Sequence, residues 1–578
     1  MEKTWRQTAA LGALFALIIC MVPHGVVSQT AEQSLRDREA EIEEARPRPA
    51  PGPVDIPRAT IDAPPGAEDV ALDLVSIELV GRDGQPLTAA SRLPVAEARA
   101  LYQDRLNQPA TLADIYLVAR EVEVLLRREG FVFTRVLVPR QEIDQEAADI
   151  QIAVLGITVE AVSVEAPGDP IGPVETLIQE LVDPLVGLPN PRIEEIERVS
   201  LLATDLPGVT RATFVPSEGS GPEFLVLSLN VERDPFNAVA IVSHRESPAI
   251  GPGVFGGTAF ANTWGPFGAS TSLSFFNSWS VVDSAPDFNE RSTVELTQRI
   301  FLGTGTSISL SGLYSRTEPD ADPFAVSGEQ VSVGLGVEHP LFRSRSFSLW
   351  VNGGLDWTDS EIDVAGGFGQ LTDDSVRAIH AGARGSIQDA YGTTFGDLTL
   401  RKGFDILGAT SPGDAEVSRV GASGRFLSIR GQIQRNQPIW DGFGARLRMV
   451  GQWSPNRLLS SEALGLGGGR YLKGYDPSEQ QGDSGFATYG EVSYANDVNL
   501  AGVDFGYEVY AFGDYGIVFQ ADDVKNGTAD LVSTGGGFRI RVPSGPRLEF
   551  ELAQPVSDRL QRTEDNDLRV FGSLIWFF

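Results

Sequence analysis

The sequence predicts an N-terminal α+β region of two similar modules, followed by an all-β transmembrane barrel of about 16 antiparallel strands. Three observations support this prediction. An apolar segment near the N-terminus is typical of an export signal, residues 69–235 repeat one order of strand and helix patterns, and residues from 236 onwards alternate between apolar and polar types. This last part holds seven of the eight tryptophans and 48 of the 62 glycines, so its composition differs from that of the modules.

Composition and charge argue against several classes of function. The 578 residues carry a net charge of −32, and such a chain binds nucleic acid poorly because neutralising phosphates requires a basic surface. The single cysteine, Cys20, is incompatible with a disulfide framework or a zinc cluster. The four histidines are far apart in sequence. We therefore expect no metal site, no cofactor and no nucleic-acid partner.

The first 28 residues are predicted to be a signal peptide. Lys3 and Arg6 form a positive beginning, and the apolar run that follows, residues 9–22, has the length found in export signals. That run is too short for the ~20 apolar residues of a membrane-spanning helix. We expect cleavage before Gln29, which leaves strands as the elements that cross a membrane.

A short charged helix and a proline-rich linker are predicted to follow the signal peptide. Residues 29–46 contain Leu35 and Ile42 seven positions apart, with glutamate and arginine around them, which indicates a helix. Residues 47–68 are so rich in proline that we expect a stiff, extended linker instead of a domain.

Residues 69–155 and 156–235, here called the first and second modules, are each predicted to contain strand, helix, helix, strand and strand. In the first module, the amphipathic segment Leu112–Arg128 indicates a helix that Thr111 caps and Gly130 ends. The predicted strands of the first module are Leu74–Val80, Phe131–Val138 and Ile150–Leu155. The predicted elements of the second are strand Ile157–Val164, helices 174–186 and 191–204, the latter starting from Pro189-Asn190, and strands Arg211–Pro216 and Phe224–Val231.

The region 236–578 has the period-two pattern of barrel strands. One example is Leu427, Ile429, Gly431 and Ile433, which alternate with Ser428, Arg430, Gln432 and Gln434. Lipid outside and a polar lumen inside explain this alternation, and at roughly 21 residues per strand and connection the region is long enough for about 16 strands. Trp576 and Phe578 lie on the apolar face of the last predicted strand, and we interpret them as a signal for outer-membrane assembly.

No segment carries a convincing catalytic motif. Gly482–Gly485 is similar to the sequence around a serine-protease nucleophile, but Phe486 follows where glycine is needed, and matching histidine and aspartate motifs are missing. The glycine-rich segment 465–469 lacks the strand, helix and acidic residue of a dinucleotide site. We therefore do not expect an enzyme.

A series of short motifs carries a resemblance to a known family. They are Ser461-Glu462, Leu466-Gly467-Gly468, Leu472-Lys473-Gly474-Tyr475, Gly482-Asp483-Ser484-Gly485 and Phe512-Gly513-Asp514-Tyr515-Gly516. With the two modules, they resemble the outer-membrane transporters of two-partner secretion, the haemolysin-activator and filamentous-haemagglutinin transporter family of the POTRA-barrel superfamily. The resemblance covers nearly the whole chain after the signal peptide, although Lys473 stands where the family has arginine.

The resemblance implies roles for individual residues. The motif Leu472, Lys473, Gly474 and Tyr475 would lie in a long loop that folds back into the barrel. Its wall partners would be Phe512, Asp514 and Gly516, with an ion pair between Lys473 and Asp514. Residues 29–46 would plug the lumen, and the two modules would be POTRA domains. Cargo would bind the first module at Phe131, Phe133, Arg135 and Leu137.

The implied function is translocation of a large unfolded exoprotein from the periplasm to the surface of a bacterial cell. The implied partners are this exoprotein, outer-membrane lipid and the barrel assembly machinery. One alternative is an insertase or assembly factor of the same superfamily. A passive porin is a third possibility, but porins lack periplasmic modules.

Overall fold

The structure is a computed structural model that describes the chain in twelve segments. These are residues 31–45, 61–88, 91–166, 172–264, 268–282, 285–318, 326–364, 369–500, 502–521, 528–542, 545–557 and 566–578. The predicted signal peptide and most of the predicted linker lie outside these segments. The first described element is a helix, α1 (Ala31–Ala45). None of the described helices combines the length and apolar character needed to span a membrane.

The first module is a four-stranded sheet packed against helices. Its elements are β1 (Ala71–Val80), α2 (Val95–Ala100), β2 (Gln108–Thr111), α3 (Leu112–Arg128), β3 (Arg135–Leu137) and β4 (Ala148–Leu155). The strand order is β2-β1-β4-β3, with β1 parallel to β4 and β3 at one edge. Helix α3 has the predicted bounds, and Thr111 caps it: the Thr111 hydroxyl accepts from the Asp114 amide, and the Asp114 carboxylate accepts from the Thr111 amide.

The second module repeats this plan with one strand fewer. Its elements are β5 (Thr158–Glu165), α4 (Glu175–Val182), α5 (Ile193–Thr204), β6 (Val209–Glu218) and β7 (Phe224–Arg233). The strand order is β5-β7-β6, and β5 runs parallel to β7. The predicted start of α5 at Pro189-Asn190 is wrong, because the N-cap residue is Arg192.

A joint of direct contacts connects the two modules. The Asn190 side chain accepts a hydrogen bond from the Ile157 amide at 3.0 Å and donates one to the Ser91 carbonyl at 2.8 Å. Phe131 belongs to the apolar core of the first module, whereas Phe133 belongs to that of the second. The predicted strand Phe131–Val138 is therefore shortened to β3, since its first four residues connect two cores and are all buried.

The remaining chain forms a closed antiparallel barrel of 16 strands, as predicted. The strands are β8 (Phe236–Ser243), β9 (Gly253–Trp264), β10 (Ala269–Val282), β11 (Ala285–Phe301), β12 (Ser307–Thr317), β13 (Val326–Arg343), β14 (Phe347–Val364), β15 (Gly369–Asp389), β16 (Gly392–Gly403), β17 (Leu427–Trp440), β18 (Phe443–Trp453), β21 (Ser484–Leu500), β22 (Val503–Phe519), β23 (Thr528–Arg541), β24 (Arg547–Pro555) and β25 (Arg569–Phe577). Two short strands, β19 (Leu464–Leu466) and β20 (Gln480–Gly482), pair with each other in the connection between β18 and β21. Pairing of β25 with β8 closes the barrel.

The outer surface of the barrel is apolar, as the period-two pattern predicts. Outward residues such as Leu355, Ile433 and Leu447 are exposed, although they are large and hydrophobic, because their neighbour is lipid instead of protein. The opposite side chains on the same strands are polar and face the lumen. Two elements occupy this lumen: helix α1 and the connection between β18 and β21.

Candidate functional site

The connection between β18 and β21, residues 454–483, folds back into the barrel and is here called the lumen loop. Its motif residues Leu472 and Tyr475 are almost fully buried and pack with Leu466 and Val518 in one apolar cluster. The loop reaches the inner faces of β22, β23 and β24. The structure thus brings the predicted loop motif and the predicted wall strand together.

The ammonium group of Lys473 is enclosed by aromatic rings and one carboxylate. The Lys473 Nζ atom lies 2.6 Å from Glu551 Oε2, and both side chains are buried. The same nitrogen lies 5.1 Å from the ring centres of Tyr489 and Phe512 and 5.9 Å from that of Tyr510. Aromatic faces attract a cation, and this attraction is larger where water is excluded.

The predicted ion pair between Lys473 and Asp514 is wrong in its atoms, although the two residues touch. Asp514 Oδ2 accepts hydrogen bonds from the Lys473 backbone amide and from the Ser533 hydroxyl, both at 2.9 Å. The lysine side chain extends beyond Asp514 and reaches Glu551 on β24. Asp514 therefore fixes the main chain of the loop, and Glu551 neutralises its charge.

Glu551 is the functional residue that sequence reasoning missed. Its carboxylate also accepts from Arg245 at 2.8 Å and from the Tyr510 hydroxyl at 2.7 Å, so it connects the loop, β22 and the segment after β8. The available signal was Glu549 and Glu551 two positions apart in a barrel strand, which places both carboxylates on the lumen face. No motif of the resemblance included them.

Two motif glycines permit a close approach between the loop and the wall. A Cβ atom at position 474 would lie 2.8 Å from the Pro555 nitrogen, and a Cβ atom at position 516 would lie 2.8 Å from the Leu472 Cδ1 atom. Tyr475 completes the attachment, because its hydroxyl donates to the Val532 carbonyl at 2.8 Å. The motif spacing therefore reflects backbone contact as well as charge.

The other motif carboxylates hold the two ends of the lumen loop. Asp483 is fully buried, forms a 2.6 Å ion pair with Arg419 and accepts a hydrogen bond from the Leu458 amide at 2.9 Å. Near the beginning of the loop, Glu462 forms a 2.9 Å ion pair with Arg401 of β16. Asp483 thus joins the end of the loop to its own beginning and to the connection between β16 and β17, and Glu462 joins the loop to β16.

Helix α1 lies in the lumen and contacts the wall with two kinds of side chain. Arg38 and the Ser34 hydroxyl both donate to the buried carboxylate of Glu246. Leu35 and Ile42 are buried in an apolar cluster on the barrel wall. The wall members of this cluster are Val239, Ile241, Val254, Phe276, Leu313 and Ile575.

The predicted cargo-binding residues of the first module fall into two groups. Phe131 and Phe133 are 1% and 5% exposed, so their side chains cannot contact a partner in this conformation, and this part of the prediction is wrong. Arg135 and Leu137 are exposed on the edge strand β3. A groove of about 420 Å³ lies beside this strand, between the two modules.

The predicted assembly residues lie at the closure of the barrel. Trp576 and Phe578 are exposed on the outer surface, and their rings stack with centres 5.2 Å apart. The Phe578 amide donates to the Ala238 carbonyl at 2.8 Å, which extends the pairing of β25 with β8.

Comparisons with known proteins agree with this architecture. The family described as haemolysin secretion/activation protein ShlB/FhaC/HecB matches residues 304–540, and the ShlB-type POTRA domain matches residues 82–155. No curated protein sequence matches the chain.

Two solved structures share the fold over most of their length. CdiB from Escherichia coli has a TM-score of 0.73 at 18% identity, covering 96% of this chain and 99% of its own. CdiB from Acinetobacter baumannii has a TM-score of 0.66 at 14% identity, covering 95% of this chain and 97% of its own. With its closed 16-strand barrel, POTRA-like modules and both family matches, the chain belongs to the ShlB/FhaC/HecB family of two-partner secretion transporters, within the POTRA-barrel superfamily.

Proposed function

We propose that the protein is an outer-membrane translocase that carries a large unfolded exoprotein from the periplasm through its barrel to the cell surface. In this proposal the modules lie in the periplasm, and the exoprotein is the transported partner of this protein. The observation that carries the proposal is the filling of the lumen by a separate helix, α1, and by the lumen loop. A pore that is closed by removable elements fits regulated passage of a chain better than free diffusion of solutes.

Helix α1 is the element that leaves the lumen when transport begins. Its contacts with the barrel are side-chain contacts: Glu246 and the Ser243 hydroxyl accept from Arg38, Glu246 also accepts from Ser34, and one apolar cluster holds Leu35 and Ile42. The proline-rich residues 47–68 connect it to the first module, and an extended chain spans about 3.1 Å per residue. The helix can therefore move the height of a barrel and stay attached.

The first module captures the exoprotein at the edge of its sheet. An unfolded chain offers unpaired backbone groups, and β3 offers an open edge with the exposed side chains Arg135 and Leu137. The adjacent groove of about 420 Å³ accepts side chains of the added strand. Trp576 and Phe578 retain their proposed role as the signal for the barrel assembly machinery.

Deletion of residues 69–155 tests this function. We expect secretion of the partner exoprotein to be lost because its capture edge is removed, while the barrel still inserts and migrates heat-modifiably on gels. Secretion is followed by immunoblotting of culture medium. Full secretion by the deletion variant would contradict capture by the first module, and lost insertion of unrelated outer-membrane proteins would favour an insertase instead.

A further inference from the structure

Two adjacent barrel strands, β17 and β18, contain four arginines and no acidic residue. This is notable in a chain whose net charge is −32. Arg430, Arg446 and Arg448 face the lumen, where Arg470 of the lumen loop joins them. The three strand residues Arg430, Arg446 and Arg448, together with Arg470, are here called the arginine track.

The acidic side of helix α1 faces the arginine track across a cavity. This cavity of about 370 Å³ lies between them, and its charged residues on the helix side are Asp37, Glu41 and Glu43 together with Arg38. Among the described wall residues that line it, six are cationic and one, Glu549, is acidic. The cationic lining residues are Arg245, Arg446, Arg448, Arg470, Lys473 and Arg539.

The charge of this wall is only partly balanced by the barrel itself. Arg446 has Glu491 at 3.4 Å, and Lys473 has Glu551 at 2.6 Å. Arg430 and Arg470 lie within electrostatic range of Asp397 on β16 and of Asp37 on α1, and Arg36 of α1 also lies near Arg430. Since α1 contains six acidic and two basic residues, its departure removes negative charge from the lumen and leaves the arginine track without it.

The uncharged polar residues beside the arginine track are suited to binding a polypeptide. Gln432, Gln434 and Asn436 follow Arg430 along the lumen face of β17 and line the same cavities. Side-chain amides both donate and accept hydrogen bonds, so they can pair with peptide groups of any sequence. Arginines supply the preference for carboxylates.

We propose that the arginine track is a binding site for acidic polypeptide segments, which α1 occupies at rest and an Asp- and Glu-rich segment of the passing chain occupies during transport. The inference rests on the proposed translocation function. Helix α1 thereby acts as an internal competitor that resembles the cargo in charge.

The test measures peptide binding to the chain lacking residues 31–46 in uncharged detergent. The probes are a fluorescent peptide of residues 31–46, a scrambled peptide of the same composition, and a peptide with glutamine at every acidic position. We expect the first two to bind within a few-fold of each other and the glutamine-substituted one, which keeps only its arginine charges, about tenfold or more weakly, because its attractive charge contacts are lost. Binding should weaken between 0.1 and 1 M salt, as the screening length falls from about 10 to about 3 Å.

Two variants locate the site. Arg430→Gln with Arg470→Gln should weaken binding of the acidic peptides about tenfold, and heat-modifiable migration confirms that the barrel is folded. The matched control is Arg384→Gln, which removes a barrel arginine that pairs with Glu338 at 2.6 Å, away from the track. This control should bind as the parent does.

Three results would overturn the proposal: equal binding of the glutamine-substituted peptide, unchanged binding at 1 M salt, or no effect of the Arg430 and Arg470 substitutions. Binding only of the native order would restrict the site to α1 and would also overturn a role for cargo. The same peptide added to single channels should block them at comparable concentrations. Because none of these measurements requires secretion, their failure is distinguishable from failure of the translocase function.

Discussion

Lys473 shows how one side chain can fix a loop in a barrel. Its ammonium pairs with Glu551, while its backbone amide is held by Asp514. We expect Lys473→Ala to cost about 3 kcal/mol, the lower end for breaking a buried ion pair, because Arg245 still neutralises Glu551. Secretion should fall strongly while the barrel still assembles. The midpoint of heat-modifiable unfolding and the secreted exoprotein are the two measurements.

Substitutions at and around Lys473 distinguish the roles of the Asp514 and Glu551 carboxylates. Lys473→Arg should secrete normally, because the guanidinium keeps the charge and can also reach Asp514 Oδ1, a buried oxygen with no hydrogen-bond partner among the described residues. Asp514→Asn should be milder than Glu551→Gln, because an amide oxygen still accepts from the backbone. If Asp514→Asn were as damaging as Lys473→Ala, the ion pair would belong to Asp514 after all.

The sequence motifs located this site only in part. They identified the loop residues and Asp514, because motif spacing reflects backbone contacts that are local to the loop and β22. Glu551 escaped because its role depends on the reach of a lysine side chain across the lumen to β24. Such a distance follows from barrel closure, and a linear pattern does not contain it.

Asn190 contributes to the joint between the modules, alongside the packing of Phe131 and Phe133 and the ion pair of Arg92 with Glu195. Asn190 adopts a left-handed backbone conformation (φ 46°), and its side chain satisfies one group in each module. We expect Asn190→Ala to cost about 1–3 kcal/mol and to loosen the angle between the modules, because two half-buried hydrogen bonds of about 0.5–1.5 kcal/mol each are lost. Distances between spin labels on α3 and α5 should broaden.

Two further substitutions separate backbone conformation from hydrogen bonding at this joint. Asn190→Gly keeps the left-handed backbone but removes both bonds, and it should loosen the joint nearly as much as alanine. Asn190→Asp keeps only the acceptor and should lie between. An unchanged distance distribution in the glycine variant would show that the other contacts of the joint, among them the packing of Phe133 and the Arg92–Glu195 ion pair, hold the modules without Asn190.

Helices and strands could be predicted from the sequence where the pattern of residues was local and complete. Helix α3 has its predicted bounds because amphipathic spacing, the Thr111 cap and Gly130 agree. The segment Phe131–Thr134 was mistaken for strand because an apolar run without alternation looks the same in a strand and in a connection between two cores. Only the packing of two modules distinguishes the two cases.

At the scale of the whole molecule, residues 236–578 should form the barrel without the modules. All strands of the closed sheet lie within this range, so the hydrogen bonding of the barrel needs no other part of the chain. Purified in detergent, the fragment should give a β-type circular dichroism spectrum and heat-modifiable migration. A helical spectrum, or a fragment soluble without detergent, would contradict this expectation.

The number of strands could be predicted from the chain length and the alternation of apolar and polar residues, whereas the wall contacts of the elements inside the lumen could not. Leu35 and Ile42 indicated a helix, but their partners come from strands far apart in sequence. The resemblance suggested a helix in the lumen, and no pattern in the sequence specified which wall it contacts.

The apolar contact site of helix α1 on the barrel wall has a consequence for the order of events during assembly of the barrel. Its apolar cluster takes Val239 and Ile241 from the first barrel strand and Ile575 from the last, so the two sides of the closing seam each contribute a part. Until that seam has paired, Ile575 is missing from the cluster, whose other five buried wall residues lie on strands β8 to β12. The apolar contact site of the helix is therefore complete only once the barrel has closed.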